Sequence, residues 1–213
     1  MPKSTMAENN SLLITGEIVS DTSFSHEVYG EGFYTFALAS KRLSGSEDIL
    51  PVTVSERLIP AGGFPTGTKV RVKGQIRSYN SYENKRSRLI LTVFAKEIEA
   101  GEFNDENEIF LNGYICKKPV YRTTPFGREI TDVLLAVNRA YNKSDYIPCI
   151  FWGRNAKYTG GIEIGENMRI WGRIQSRVYN KKIDDGFEER TAYEVSVSRI
   201  DKAVEKDGHE YEY

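Results

Sequence analysis

One predicted strand, residues 167–179, alternates basic and aromatic side chains along a single face. Side chains in a strand point alternately to opposite faces, so Met168, Ile170 and Ile174 share the apolar face. The opposite face carries Arg169, Trp171, Arg173, Gln175, Arg177 and Tyr179. Cations bind phosphates and rings stack on nucleobases, so this face predicts binding of single-stranded nucleic acid. The alternative is a solubilising surface.

A second predicted strand, residues 68–79, repeats this alternation. Its polar face carries Lys69, Arg71, Lys73, Gln75, Arg77 and Tyr79. Neither strand has a carboxylate on this face, whereas an ordinary solvated face usually mixes both signs of charge. We therefore predict phosphate contacts from the cations of both strands.

A third predicted strand, residues 145–152, carries apolar residues on both faces. One face holds Tyr146, Pro148, Ile150 and Trp152, and the other holds Ile147, Cys149 and Phe151. A small barrel has one interior, so one of these faces should be exposed or covered by a partner. Rings on a rigid sheet can stack on bases, worth about 1–3 kcal/mol per base. Packing against the other half of the chain or another subunit is the alternative.

The loops around these strands add cations that we expect to contact phosphates. These are Lys117, Lys118, Arg122, Arg128, Arg139, Lys181 and Lys182. The ring of Phe126 lies in a Pro-Phe-Gly turn between two of the arginines, and we include it among the stacking candidates.

The elements that position these residues occur twice. Glycine, arginine and proline landmarks recur at a spacing of 97 residues, and of 98 residues after one insertion. The pairs are Gly16 and Gly113, Tyr29-Gly30 and Phe126-Gly127, Arg42 and Arg139, Pro51 and Pro148, Gly67 and Gly165, and Gly74 and Gly172. The chain therefore contains a duplication of a unit of about 90 residues, a normal domain size.

Each unit reads as five short strands separated by turn signals. The first has strands near 11–20, 33–41, 48–55, 68–79 and 87–98, and the second near 108–116, 129–138, 145–152, 167–179 and 190–200. Residues 56–66 and 153–164 have room for one short helix. This order predicts an all-β chain of two tandem five-stranded oligonucleotide-binding (OB) barrels, each with at most one short helix. An SH3-like barrel is the competing all-β fold.

The boundaries follow from the duplication and from the acidic connectors. We expect a disordered N-terminus at 1–10, a degenerate first repeat at 11–100, an acidic linker at 101–106, a second repeat at 107–203 and an acidic C-terminal tail at 204–213. The net charge of −1 hides +4 in the second repeat and +1 in the first, against −3 in each acidic connector. This distribution is compatible with an anionic partner.

Other functional classes find little support in the sequence. Cys116 and Cys149 are expected to be buried free thiols, and we predict no metal site and no cofactor. The sequence shows no catalytic constellation and no P-loop, so we do not expect an enzyme. It also shows no signal peptide and no apolar run long enough for a transmembrane helix, so the expected location is cytoplasmic.

The second repeat resembles the bacterial single-stranded DNA-binding protein family. The resemblance lies in Asn112-Gly113, Lys118-Pro119 followed by Arg122, Pro125-Phe126-Gly127, Leu135–Arg139, Tyr146–Gly153 and Gly172–Arg177. It implies two OB folds that stack single-stranded DNA on Tyr141, Tyr146, Trp152 and Tyr179, with a basic site at Arg154. In the first repeat the matching positions are Ser44, Ile49 and Ser55, with Tyr79 or Tyr82 at the last.

The resemblance also implies how the chain would act and assemble. It predicts single-stranded DNA binding without sequence preference, protecting DNA in replication, recombination or repair at the nucleoid. Tandem members of this family build four OB folds from two chains, which implies a homodimer, and the short acidic tail is a candidate contact for replication or repair proteins. The alternatives are an OB-fold protein-interaction module of a primosome-like or mobile-element replication complex, and RNA binding.

Overall fold

The structure is a computed structural model that describes residues 9–83, 86–183 and 186–202. The predicted acidic tail and residues 1–8 of the predicted disordered N-terminus lie outside the described residues, as does the side chain of Tyr82. No helix in the described part of the chain is long and apolar enough to cross a membrane.

Within the described residues, each repeat forms six strands and one short helical segment. The first repeat contains β1 (Asn10–Ile18), β2 (Ser23–Val28), β3 (Glu31–Lys41), β4 (Glu47–Ser55), a 3-10 turn (Glu56–Leu58), β5 (Lys69–Glu83) and β6 (Arg86–Ala100). The second contains β7 (Asn107–Ile115), β8 (Val120–Thr123), β9 (Glu129–Arg139), β10 (Lys143–Trp152), α1 (Gly153–Thr159), β11 (Asn167–Ile183) and β12 (Gly186–Lys202).

Five of the six strands in each repeat close into a barrel. In the first repeat β1 pairs with β3 and β5, β3 pairs with β4, β5 pairs with β6, and β4 runs parallel to β6. The second repeat repeats these pairings with β7, β9, β10, β11 and β12. The prediction of an all-β chain with two tandem five-stranded OB barrels, each with at most one short helix, is therefore confirmed.

Two strands were missing from the sequence prediction. Among the residues that the structure describes, β2 pairs only with β3 and β8 only with β9, and each extends that edge outwards. Every residue of both strands is exposed, so neither shows the alternation of buried and exposed residues that identifies a strand in a sequence.

The β5–β6 and β11–β12 hairpins extend beyond the barrels and are longer than predicted. At the tip of the second hairpin Ile183 pairs with Gly186, and residues 184–185 lie outside the described part. The exposed fraction of Val178, 60%, shows that the apolar face of β11 leaves the core before the hairpin ends.

Two landmark glycines are needed where the barrel strands cross closely. A Cβ on Gly74 would lie 2.1 Å from the carbonyl oxygen of Phe94, and one on Gly172 would lie 2.3 Å from that of Ser196. Both glycines lie at a register shift between the hairpin strands. The recurrence seen in the sequence thus reflects the same bulge in both barrels.

The repeats join edge to edge through β1 and β7, which pair antiparallel. Leu12 lies opposite Ile109, and these two residues are 97 positions apart in the sequence. Equivalent residues therefore meet at the centre of the junction, so the repeats are related by a local twofold axis. The strands of the described part of the chain thereby form one sheet of twelve strands.

Candidate nucleic-acid interface

The rings of Tyr146 and Trp152 lie on the outer face of β10. The opposite face holds Ile147 and Phe151, both fully buried in the barrel. Tyr146 is 44% exposed and Trp152 is 36% exposed, and the indole N–H of Trp152 donates a 3.1 Å hydrogen bond to Ser196 Oγ on β12. The bond fixes the ring on the sheet while part of its surface stays open.

Four further stacking candidates lie on turns or on the hairpins. Tyr141 and Phe126 are almost fully exposed in the turns that join β9 to β10 and β8 to β9. Tyr179 lies on β11, with the guanidinium carbon of Arg177 5.5 Å from its ring centroid. Tyr79 is exposed on β5. These rings are presented by loops and hairpins around the sheet that carries Tyr146 and Trp152.

Trp171 has a different environment from Trp152. Its ring centroid lies 4.9 Å from that of Phe110, and the guanidinium carbon of Arg199 lies 3.6 Å from it. Because the cation covers one face of the indole, a base cannot stack there unless Arg199 moves.

Trp171 lines an open groove of about 1030 Å³ at the junction of β1 and β7, which we call the seam groove. Its walls include Leu13, Lys73, Phe110, Trp171, Arg173 and Arg199. The groove also reaches Ser196, the residue that holds the indole of Trp152.

The predicted phosphate-binding cations of the second repeat fall into two groups. An exposed group comprises Lys117, Lys118, Arg128, Arg154, Arg169 and Lys182, and Lys181 is half-buried. The other group is held by carboxylates. Arg122 bonds Asp132 at 2.7 Å, Arg177 lies 3.7 Å from Glu194, and Arg139 lies 3.7 Å from Asp145.

Arg173 contacts the other repeat. Its guanidinium lies 3.7 Å from Asp48, a buried residue of β4. Burial and the nearby charge of Arg42 lower the pKa of Arg173, and Asp48 opposes that shift. The side chain therefore belongs to a charged cluster at the contact between the repeats.

The basic face of β5 is covered by carboxylates from its neighbours. Lys69 bonds Glu102 at 2.6 Å, Arg71 bonds Glu106 at 2.9 Å and Lys73 bonds Glu97 at 3.0 Å. Hydrogen bonds to Glu102 and Glu97 raise the pKa of Lys69 and Lys73. The sequence of β5 alone gave a face without carboxylates, but β6 and the linker at 101–106 supply them.

The linker is anchored to the first repeat. The backbone N–H of Glu106 donates a 2.7 Å hydrogen bond to Thr15 Oγ1, and the guanidinium carbon of Arg71 lies 4.4 Å from the ring centroid of Phe103. A phosphate would have to displace these contacts to reach Arg71. We still predict phosphate contacts from Lys69, Arg71 and Lys73, with the phosphate displacing the carboxylates that now bind them.

Sequence reasoning missed the hydrogen bonds by which Asp145 and Tyr146 of the second repeat contact the first. Asp145 is buried and accepts hydrogen bonds from Arg77 at 3.0 Å and from the backbone N–H of Ser78 at 2.8 Å. The backbone N–H of Tyr146 donates to Ser78 Oγ at 2.7 Å. Tyr79 follows Ser78 directly, so two predicted stacking residues from different repeats lie on adjoining backbone. The signal in the sequence was the recurrence of Asp48 as Asp145, 97 residues apart.

The first repeat also carries rings that sequence reasoning did not select. His26 on β2, Phe33 on β3 and Phe94 on β6 form one row on its outer face, which we call the aromatic stripe. These residues are far apart in the sequence, and only the sheet register brings them together.

The cysteines and acidic residues do not form a metal centre in the described part of the chain. Cys149 is buried and Cys116 is half-buried, less enclosed than predicted, and both are free thiols. Burial raises the pKa of each thiol, so both stay protonated at neutral pH.

Comparisons with known proteins agree with this geometry. The profile of the Single-strand binding protein family matches residues 106–203. Single-stranded DNA-binding protein B of Bacillus subtilis (strain 168) is 32% identical over 83 residues, which cover 36% of this chain and 74% of that protein. Single-stranded DNA-binding protein 1 of Staphylococcus aureus (strain COL) is 34% identical over 83 residues, which cover 36% of this chain and 50% of that protein.

Among solved structures, the wild-type single-stranded DNA binding protein from Thermus aquaticus has a similar fold along almost the whole chain. The TM-score is 0.71 at 18% identity, with 92% of this chain and 93% of that chain covered. At this identity the likeness shows the fold alone. The chain spans about half the length of the first curated relatives that it matches. Because it covers nearly three quarters of the B. subtilis protein at 32% identity, the chain belongs to the single-strand binding protein family.

Proposed function

We propose that this protein binds single-stranded DNA without sequence preference and protects it during replication, recombination or repair. The observation that carries the proposal is the pair Tyr146 and Trp152, which share the outer face of one strand with their rings partly exposed. Every base offers a π-face, so stacking on these rings tolerates any sequence. The names of the relatives, single-stranded DNA-binding proteins, support the same function.

Phosphate contacts come first from the exposed cations around these rings. Lys117, Lys118, Arg128 and Arg154 are exposed in the segments next to β7, β9 and β10. Each phosphate that the protein neutralises contributes about −0.7 to the slope of log affinity against log salt concentration. In this proposal the protein acts by binding DNA and not by catalysis. Its site of action is DNA at the nucleoid, in the cytoplasm.

A direct test measures the affinity of fluorescently labelled oligo-dT by anisotropy. Trp152→Ala should weaken binding by about 1–3 kcal/mol, the usual value of one stacked base. Trp152→Phe is the matched control, because it keeps a ring at the same place. Equal affinities for the wild type and Trp152→Ala, with both proteins folded, would reject Trp152 as a stacking residue.

We also propose that two chains associate, bringing four OB folds together. The seam groove supports this, because Leu13, Phe110 and Trp171 place apolar surface on the outside of the sheet beside the local twofold axis. Sedimentation of the wild type as a monomer at micromolar concentration would contradict the proposal.

We further propose that the acidic tail, residues 204–213, is a contact for replication or repair proteins. Deleting the tail should then abolish capture of such proteins without changing DNA affinity.

A further inference from the structure

The first repeat lacks rings at three positions where the second has them, yet its outer face is aromatic. Ser55 stands where the second repeat has Trp152. The aromatic stripe supplies rings from neighbouring strands instead. His26 and Phe33 are stacked, with ring centroids 5.1 Å apart and planes within 11°, and Phe33 lies 5.9 Å from Phe94.

The stripe occupies the same face of its barrel as Trp152 does. Phe33 lies opposite Ser55 in the sheet, and Phe94 pairs with Thr53. The alternate residues Val54 and Val93 are fully buried in the barrel, so the rings point away from the core. The exposed residue of the stripe is His26, and the two phenylalanines are half-buried.

The strand pairing shows which strand carries the aromatic ring in each repeat. In the second repeat Ile150 pairs with Ser196, and in the first repeat Thr53 pairs with Phe94. Thr53 and Ile150 are 97 positions apart, so Phe94 and Ser196 are equivalent. Where the second repeat has a tryptophan that bonds a serine on the next strand, the first has a serine and a phenylalanine. The first repeat therefore carries its ring on β6, the strand next to the one that corresponds to β10.

Two carboxylates of the second repeat have threonines as their counterparts near the stripe, although Glu31, which accepts a hydrogen bond from Ser55, lies where the second repeat has Arg128. Thr35 stands where the second repeat has Asp132, and Thr92 stands where it has Glu194. Thr92 is held by a 2.8 Å hydrogen bond with Thr53 and donates to a backbone carbonyl. Threonines in place of carboxylates remove two charges that would repel a phosphate backbone.

The stripe also adjoins the predicted stacking surface of the second repeat. The guanidinium carbon of Arg77 lies 5.8 Å from the ring centroid of Phe94, and the same guanidinium bonds Asp145. The next residue, Ser78, accepts the hydrogen bond from the backbone of Tyr146. A single strand of DNA that continues from Tyr146 would therefore reach the guanidinium of Arg77 and then the ring of Phe94.

We propose that the aromatic stripe is a second stacking site for single-stranded DNA, continuous with the Tyr146 surface. One base stacks on the ring of Phe94 and another on the open face of His26 in the His26–Phe33 pair. The inference rests on the proposed function of the second repeat and assigns the first repeat a share in it. Because the contact is stacking, its loss should lower affinity without changing the salt slope.

The first experiment compares two lengths of oligo-dT on the variant Phe33→Leu, Phe94→Leu. Leucine keeps apolar volume and removes the π-face. An oligonucleotide of about 8 nucleotides matches one OB fold, and one of about 35 spans both repeats. We expect at least about fivefold weaker binding of the long oligonucleotide, the equivalent of about 1 kcal/mol, with an unchanged salt slope. Quenching of Trp152 by the short one should not change.

The matched control is Phe24→Leu, which changes an exposed phenylalanine of β2 outside the stripe. It should bind both oligonucleotides as the wild type does. Wild-type affinity of Phe33→Leu, Phe94→Leu for the long oligonucleotide would overturn the proposal. So would a variant that changes only the sedimentation of the protein, since the stripe would then be a protein interface.

A reporter variant keeps the test decisive if the double substitution impairs folding. The chain has two tryptophans, both in the second repeat, so Trp152→Phe, Trp171→Phe, Phe94→Trp places the single indole in the stripe. Quenching by long oligo-dT is expected. Binding by anisotropy without quenching would overturn the proposal but leave the proposed function intact. A wild type that binds neither oligonucleotide would reject both.

Discussion

The carboxylate of Asp48 in the first repeat accepts a 2.7 Å hydrogen bond from the backbone N–H of Ser176 in the second. It also accepts hydrogen bonds from the hydroxyl of Ser176 and from Arg42. Asp145 makes the reciprocal contact with the backbone N–H of Ser78. Each repeat thus holds the hairpin of the other through a buried aspartate.

Removing Asp48 should destabilise the protein. In Asp48→Ala the backbone N–H of Ser176 and the guanidinium of Arg42 lose their main acceptor in a largely dry contact. We expect the free energy of unfolding to fall by about 2–4 kcal/mol in urea titrations. Glu47→Ala is the control, because Glu47 is exposed and should change stability by less than about 0.5 kcal/mol. Similar losses in both variants would contradict the structural role of Asp48.

The same contact predicts a loss of stability in acid. Burial by itself raises the pKa of the Asp48 carboxyl, but hydrogen bonds from Arg42 and Ser176 outweigh it and hold the pKa below its usual value. A depressed pKa in the folded state stabilises the protein above the unfolded pKa of about 3.9. That contribution is lost as the pH falls through the lower, folded pKa.

Unfolding of the wild type and Asp48→Asn between about pH 2 and 7 measures this contribution. The difference in unfolding free energy should be constant near neutral pH and shrink in the acid limb. A difference that stays constant to the lowest pH would show that Asp48 does not titrate with folding.

The carboxylates on the basic face of β5 should limit its contact with DNA. Glu97→Gln, Glu102→Gln frees Lys73 and Lys69, whose ion pairs are exposed and therefore weak. If the freed lysines reach phosphates, affinity for long oligo-dT should rise. The salt slope should steepen by about 0.7 for each new contact. Unchanged affinity and slope would show that this face does not meet the DNA.

Tyr79 and Tyr146 should act as a coupled pair, although they belong to different repeats. The hydrogen bond between Ser78 Oγ and the backbone of Tyr146 places the two residues on adjoining backbone. Each single substitution to alanine should weaken oligo-dT binding by about 1–3 kcal/mol, and the double substitution should cost less than the sum. Strict additivity would mean that the two rings bind separate parts of the strand.

The sequence was sufficient for the barrels but not for the contacts between strands. Gly74 and Gly172 lie at equivalent bulges, so their recurrence correctly predicted two copies of one fold. Strand periodicity describes one strand at a time. It could not show that Glu97 on β6 and Glu102 in the linker lie against Lys73 and Lys69.

The aromatic residues show the same limit. Position-by-position comparison found Ser55 in place of Trp152 and left the first repeat without that ring. Phe33 and Phe94 lie 61 residues apart in the sequence, and only the pairing of β3, β4 and β6 brings their rings together. Strands β2 and β8 escaped prediction because their residues are exposed throughout.

The most direct test of DNA binding by the second repeat is intrinsic tryptophan fluorescence during titration with oligo-dT at low and high salt. The only tryptophans are Trp152 and Trp171, and Arg199 covers one face of Trp171, so Trp152 should give most of the response. We predict strong quenching that weakens as salt is added, from stacking together with phosphate contacts. Absence of quenching at low salt, in a protein that is folded, would contradict the account.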